Sequence, residues 1–190
     1  MNKNLKAAVI LVLTVGAVYL FIRFTMSGRG ISPPGEEGLS RPVVSAPQTR
    51  EMDLFFADAT GRRLSIERRE ISGDNTEDLL KRVVEELIKG PVDEDRMRIL
   101  PESALVRAVF TREQTVWVDL GGAIQDEHPG GAWTEVLAVY SIVNTLTENF
   151  PGVSYVQILI NGRESETFAG HVDISIPLEN RIQLLAGDWE

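Results

Sequence analysis

The sequence predicts an α+β fold: a small mixed or antiparallel sheet with two main helices packed on it, preceded by a transmembrane helix and a linker. Three observations carry that expectation. Thr76–Lys89 and the run between Gly131 and Phe150 repeat apolar residues at three-four spacing, the period of a helix with one buried face. About six short segments rich in β-branched and aromatic residues are bounded by turn residues. Hairpin signals separate the two helices, where a doubly wound sheet would alternate single strands and helices.

Taken in order, Met52, Leu54 and Phe56 alternate with Asp53 and Phe55, which predicts a strand over Glu51–Ala57 and a turn at Asp58-Ala59-Thr60-Gly61. Leu64–Ile71 is charged and alternating, the pattern of an exposed or edge strand. Asp74 with Glu77 three residues on resembles a capping box for the helix at Thr76–Lys89. Leu80, Val83, Val84, Leu87 and Ile88 form its buried stripe, and Gly90-Pro91 ends it. Val92–Leu100 is read as one short helical turn. Ala104–Thr111 and Thr115–Leu120 form a hairpin across Arg112-Glu113-Gln114, with Val116, Val118 and Leu120 on one face and Trp117 and Asp119 on the other.

The Gly121–Gly131 loop, with His128-Pro129-Gly130-Gly131, feeds the long helix. There Val136, Val139, Tyr140, Val143, Leu146 and Phe150 line one face, and Thr134, Ala138, Ser141, Thr145 and Glu148 the other, which is small or polar. On this reading an aspartate at Val143 would abolish cooperative unfolding, while one at Ser141 would leave it nearly unchanged. Pro151-Gly152 terminates the helix. Tyr155–Ile160 reads as a strand in a covered sheet, Asn161-Gly162 as a hairpin turn and Arg163–Phe168 as its return strand. Ile174, Ile176 and Leu178 suggest a last extended piece.

Charge and composition narrow location and partners. Residues 1–26 place Lys3 and Lys6 ahead of the uncharged run Ala7–Ile22, long enough to span a bilayer with help from Arg23. The exit Arg23-Phe24-Thr25-Met26-Ser27 lacks the small residues of a cleavage site, so an uncleaved signal anchor is expected, its N-terminus cytoplasmic and its domain outside the cytoplasm. Residues 27–50, rich in Pro and Gly, read as a linker; 51–186 form the domain, and 187–190 a tail. Beyond the anchor, 16 basic residues stand against 28 acidic ones, a surface that repels phosphate backbones and excludes nucleic acid as a partner. The absence of cysteine removes disulfides, thiolate metal sites and a lipid-modified N-terminal cysteine.

Several segments carry a family resemblance. Gly90-Pro91, Ile99-Leu100-Pro101-Glu102, Val116-Trp117-Val118-Asp119-Leu120, Glu135, Ile142-Val143-Asn144-Thr145-Leu146-Thr147 and Val156-Gln157-Ile158-Leu159-Ile160-Asn161-Gly162 together resemble the GerMN domain, named after a bacterial sporulation and germination lipoprotein. The similarity runs from about Asp53 to Leu185, and its most specific part is the set Asn144-Thr145-Leu146-Thr147, Phe150-Pro151 and Asn161-Gly162. It implies an extracytoplasmic fold similar to the ring-building modules of secretion and sporulation assemblies, with no established catalytic residues. The chain differs from the namesake in having one such domain, where the namesake has a tandem pair, and a membrane helix in place of a lipidated cysteine.

No reactive constellation stands out. His128 and His171 lie near Asp126, Glu127 and Asp173 in sequence, but a metal site would need both loops to converge with a third ligand, and none is expected. His128 reads as a surface-loop residue, and His171 as ordering the turn after Gly170. Asp119, Glu135 and Asp173 are candidates for a glycosidase pair only because acidic residues are numerous. No serine has a nucleophile-elbow context, and Gly121-Gly122 and Gly130-Gly131 lack the lysine of a phosphate loop. No cofactor is expected. Glu135 suits the first turn of the long helix, where the dipole favours a carboxylate. It is also the centre of a candidate binding surface formed with Trp133, Gly130, Gly131 and His171. The expectation is a non-catalytic, membrane-tethered module that docks onto envelope proteins or its own copies. The alternative is a small cell-wall-binding or hydrolytic domain.

Overall fold

The computed structural model describes residues 47–185. The expected membrane segment, nearly all of the linker and the tail lie outside the described residues. Among the described residues no helix is long and apolar enough to cross a membrane. Chain order is β1 (Gln48–Asp58), β2 (Leu64–Gly73), α1 (Thr76–Lys89), β3 (Arg96–Met97), β4 (Leu105–Arg112), β5 (Thr115–Gly121), α2 (Ala132–Asn149) and β6 (Tyr155–Ile160). A 3₁₀ turn at Ile182–Leu184 closes the fold. Strand β1 starts at Gln48, inside the stretch read as linker, because Gln48, Thr49 and Arg50 pair with Gly73, Ser72 and Ile71.

The single expected sheet is two three-stranded sheets. The first, ordered β2-β1-β3, is antiparallel throughout. The second, ordered β4-β5-β6, joins the antiparallel β4/β5 hairpin to a parallel β5/β6 pair. Helix α2 makes that parallel pair feasible, since parallel strands need a long crossover and α2 supplies it. It packs on β1, β6 and α1, while α1 packs on β4 and β2, so one core spans both sheets.

Three local readings shift. The cap of α1 is Asn75, whose side chain accepts the Asp78 N–H, while the Asp78 carboxylate accepts the N–H of Asp74; the pairing expected of Asp74 and Glu77 lies one residue later. The expected helical turn after Gly90 is instead the short strand β3, which Arg96 and Met97 form on Asp58 and Ala57. Asn161 and Gly162 do adopt positive φ (53° and 77°), and Ile160 and Arg163 exchange backbone bonds across them. No return strand follows. The edge of β6 is met by Leu178, which exchanges two backbone bonds with Val156.

The largest departure is α2. The middle of the face read as polar is not solvated: Ala138, Ser141 and Thr145 are fully buried, as is neighbouring Asn144, whereas Thr134 is half-buried and Glu148 exposed; burial is continuous from Leu137 to Leu146. Burial demands partners, and these come from outside the helix. Thr145 Oγ1 accepts the Phe55 N–H (3.1 Å). Asn149 accepts the Asp53 N–H (2.8 Å) and donates to the Asp53 carbonyl (2.8 Å). Helix side chains thus serve an edge of β1 that β3 covers only at Ala57 and Asp58. Asn144 brackets Arg181 in the same way, accepting its N–H and donating to its carbonyl.

Ser141 Oγ is buried without a partner. Ser141→Ala is therefore expected to leave the melting temperature unchanged or raise it. Ser141→Asp should destabilise by several kcal/mol, as Val143→Asp would, because each buries an unpaired charge. Thermal melts of the three variants test this; a neutral Ser141→Asp would mean that this side of α2 is open to water.

Candidate functional site at the start of the second helix

Gly130 and Gly131 turn the chain into α2 with φ of 79° and 89°, a region side-chain-bearing residues avoid. Gly131 stands at the N-cap with no side chain to cap the helix. Four residues into this entry, Glu135 is 1% exposed, and its carboxylate bonds to a loop distant in sequence. Its Oε1 accepts backbone N–H groups from Ala169 (2.7 Å) and Val172 (2.8 Å), and the His171 N–H lies 3.1 Å from both oxygens. Oε2 is 2.9 Å from His171 Nδ1. With Gly170 at φ 114°, residues 169–172 form a concave set of N–H donors of the kind that cradles anions. Here the anion is internal. Burial pushes the Glu135 carboxyl up, but the bonds from Val172, Ala169 and His171 outweigh it and hold the group below its ordinary value.

His128 lies behind this contact and is buried, not on a surface loop as its sequence context suggested. Its Nδ1 accepts the Gly130 N–H (3.2 Å), and its ring meets Phe168 edge-on at 5.8 Å. Nε2 has no partner at hydrogen-bonding geometry. Burial pulls its pKa down; the nearby Glu135 charge and Thr134 backbone oppose that, and the net shift is downward.

Of the five residues singled out in the sequence, the fold joins Glu135 to His171 and sets Gly130 and Gly131 at the entry to their helix. Trp133 faces elsewhere. Two residues along a helix is about 200° of rotation, so Trp133 and Glu135 project to different sides. The Trp133 ring is 49% exposed, its Nε1 donates to the Arg62 carbonyl (3.1 Å), and it lines a recess of ≈ 390 Å³ with Arg62, Arg63, Gln183 and Leu184. Nothing in the order of residues could bring those segments together, and the Ala169–Val172 cradle was equally invisible.

The other candidate acids have separate partners. Asp119 bonds to Arg107 Nε (3.0 Å) and to the Gly162 N–H (2.7 Å), while Asp173 is occupied by the N–H and hydroxyl of Ser175. Trp117 stacks on Phe110, ring centres 5.9 Å apart. Among the described residues no three His, Asp or Glu side chains come together as a metal-binding group. The arrangement around Glu135 anchors a loop and offers no carboxylate oxygen to a substrate.

A family model described as Germane, sporulation and spore germination, matches residues 53–166. The chain belongs to the Germane family. Solved structures with this Germane fold include the first GerMN domain of the sporulation protein GerM from Bacillus subtilis, at 21% identity and TM-score 0.55, covering 69% of this chain and 98% of that one. The tandem GerMN domains of the same protein align at 21% identity and TM-score 0.58, over 70% of this chain and 46% of that one. A protein described as "Putative Lipoprotein from Clostridium perfringens" aligns at 24% identity and TM-score 0.51, over 69% of this chain and 87% of that one. No curated protein sequence matches. At these identities the likeness is one of fold.

The two shifted groups act on stability in the same direction. The unfolded chain's His128 takes a proton near its ordinary value of 6.5 while the buried ring resists, so stability is lost as pH falls from there through the depressed folded value. Glu135 contributes fully above its ordinary 4.5, and its contribution is lost as pH falls through its own depressed value. The melting temperature should therefore fall in two stages on acidification. Glu135→Gln, whose amide nitrogen would face N–H donors, should cost about 1–3 kcal/mol at neutral pH. A melting temperature that stays flat between about pH 7 and 5 would contradict a buried neutral His128.

Proposed function

We propose that this Germane domain is a non-catalytic interaction module, held at the outer side of the cytoplasmic membrane and docking onto envelope proteins or onto further copies of itself. The observation that carries this reading is the state of Glu135: the carboxylate best placed for chemistry is buried and its oxygens are taken by the Ala169–Val172 loop. A general acid or base must be within hydrogen-bond reach of a substrate proton, and this one is occupied by its own fold. The N-terminal run Ala7–Ile22 between basic residues supports tethering, and the lipoprotein description of one relative fits an envelope location for the fold. A linker of about 20 residues would hold the domain within a few nanometres of the bilayer, raising its effective concentration at membrane partners.

Complementation of a deletion strain tests the proposal. His171→Ala, Asp119→Asn and Asp173→Asn, each folded, are expected to restore function at least partly. A version exported by a cleavable signal in place of residues 1–26 is expected to fail or weaken, and crosslinking in native membranes should trap protein adducts of the intact chain. An enzyme would behave in the opposite way: one conservative carboxylate change would destroy function at unchanged melting temperature, while the untethered domain stayed fully active.

A further inference from the structure

The two sheets guard their strand edges unequally. Leu178 meets the edge of β6 at Val156, and β3 with the α2 side chains Thr145 and Asn149 serves the outer edge of β1. On β2, Arg96 caps the Ile66 carbonyl, and the half-buried charges of Glu67 and Arg69 discourage a further strand. Strand β4 has none of these guards. Among the described residues, the backbone of Leu105–Arg112 makes no hydrogen bond outside its ladder with β5. Its sequence, LVRAVFTR, contains no acidic residue, and Leu105 (62%) and Phe110 (41%) are exposed.

The faces of β4 follow from its pairing with β5. Val106, Val109 and Thr111 stand opposite Leu120, Val118 and Val116, all buried, and so belong to the core side. Leu105, Ala108, Phe110 and Arg112 belong to the outer side. Arg107 is the extra residue of a bulge, and its guanidinium is held by Asp119 (3.0 Å). This order is self-complementary. An antiparallel second copy centred on Val109 sets Ala108 opposite Phe110 of the copy. Past the bulge it sets Val106 opposite Thr111 of the copy, and Leu105 opposite Arg112 of the copy. A small side chain then meets the exposed ring, an aliphatic arginine stem covers the exposed leucine, and like charges are nowhere opposed. Net charge favours the same face: chains of −9 repel one another least where each presents arginines and no acid.

We propose that β4 is a self-association edge, where two copies of this chain pair antiparallel about Val109 and join their second sheets into one of six strands. The inference rests on the docking reading above and names a second copy as the occupant of this edge. The contact is isologous, so it closes at two copies. Tethering both chains to one membrane raises the local concentration at which so short a pairing is populated.

The chain has no cysteine, so single introduced cysteines report the register directly. The full chain carrying Val109→Cys, oxidised mildly in native membranes, is expected to form a disulfide-linked dimer, because directly opposed strand residues lie within disulfide reach. Ala108→Cys, diagonal to its own copy, and the exposed Val92→Cys on another element should give little or none. Adding Leu105→Arg to Val109→Cys sets arginine against arginine twice per dimer and should cut the product about fivefold or more. Adding Arg112→Leu as well restores the opposed pair in reverse order and should recover it. Leu105 is exposed, so these changes should leave the melting temperature near that of the parent. Equal crosslinking at Val92, indifference to Leu105→Arg, no recovery with Arg112→Leu, or adducts of Val109→Cys with a different protein in place of the dimer would each overturn the proposal. Adducts of the parent chain with envelope proteins, read in the same membranes, separate the two readings: docking stands if only the dimer is missing and falls if both are.

Discussion

A helix buried on nearly every side loses stability for each polar side chain that nothing inside the fold bonds to. That constraint governs this domain. Helix α2 runs through the core, packed on β1 of the first sheet, β6 of the second and α1, and four of its polar side chains each take hold of backbone outside it. Glu135 holds residues 169–172, Asn144 holds Arg181, and Thr145 and Asn149 hold β1. The bonds serve both sides: the helix pairs these four polar side chains, though not Ser141, and the loop at residues 169–172, the chain at Arg181 and the open edge of β1 gain fixed positions.

A second polar centre does the same for the first sheet. Arg69 on β2 bonds to Glu67 and Glu86 and to the Gly90 carbonyl at the end of α1, with its guanidinium over the Phe56 ring. Glu67 in turn accepts the N–H groups of Val92 and Asp93, fixing the chain after the helix. Burial pushes the Glu67 carboxyl up, yet these bonds and the arginine hold it below its ordinary value. Such a pair is worth little as a source of net stability, since desolvation opposes it, but breaking one partner strands the other.

Both centres play the same structural part. Charged groups in this domain are arranged to fix loops, and the surfaces so fixed are rigid and pre-formed. Under the docking role proposed above, loops fixed in this way would meet their ordering cost on folding and not again when a partner binds. The shared fold with the GerM domains extends to the arrangement of strands and helices. The recess beside Trp133 depends on side chains that a fold-level likeness does not specify.

What the sequence by itself determined is local. Thr76–Lys89 and Tyr155–Ile160 form the elements expected over the residues expected, and Asn161-Gly162 makes its positive-φ turn, because periodicity, helix stops and glycine act within a few residues. The family was legible too, through a set of short segments spread over the domain. Tertiary structure decided the rest. Ser141 and Thr145 look like part of a solvated stripe because small polar residues at helical spacing carry the same pattern whether they meet water or a strand edge. Glu135 was correctly set in the first turn of its helix, yet its partners lie more than 30 residues further along the chain, in a loop with no pattern of its own. One sheet became two, and a return strand gave way to Leu178, because pairing is a competition among all available edges. No local pattern records which edge wins.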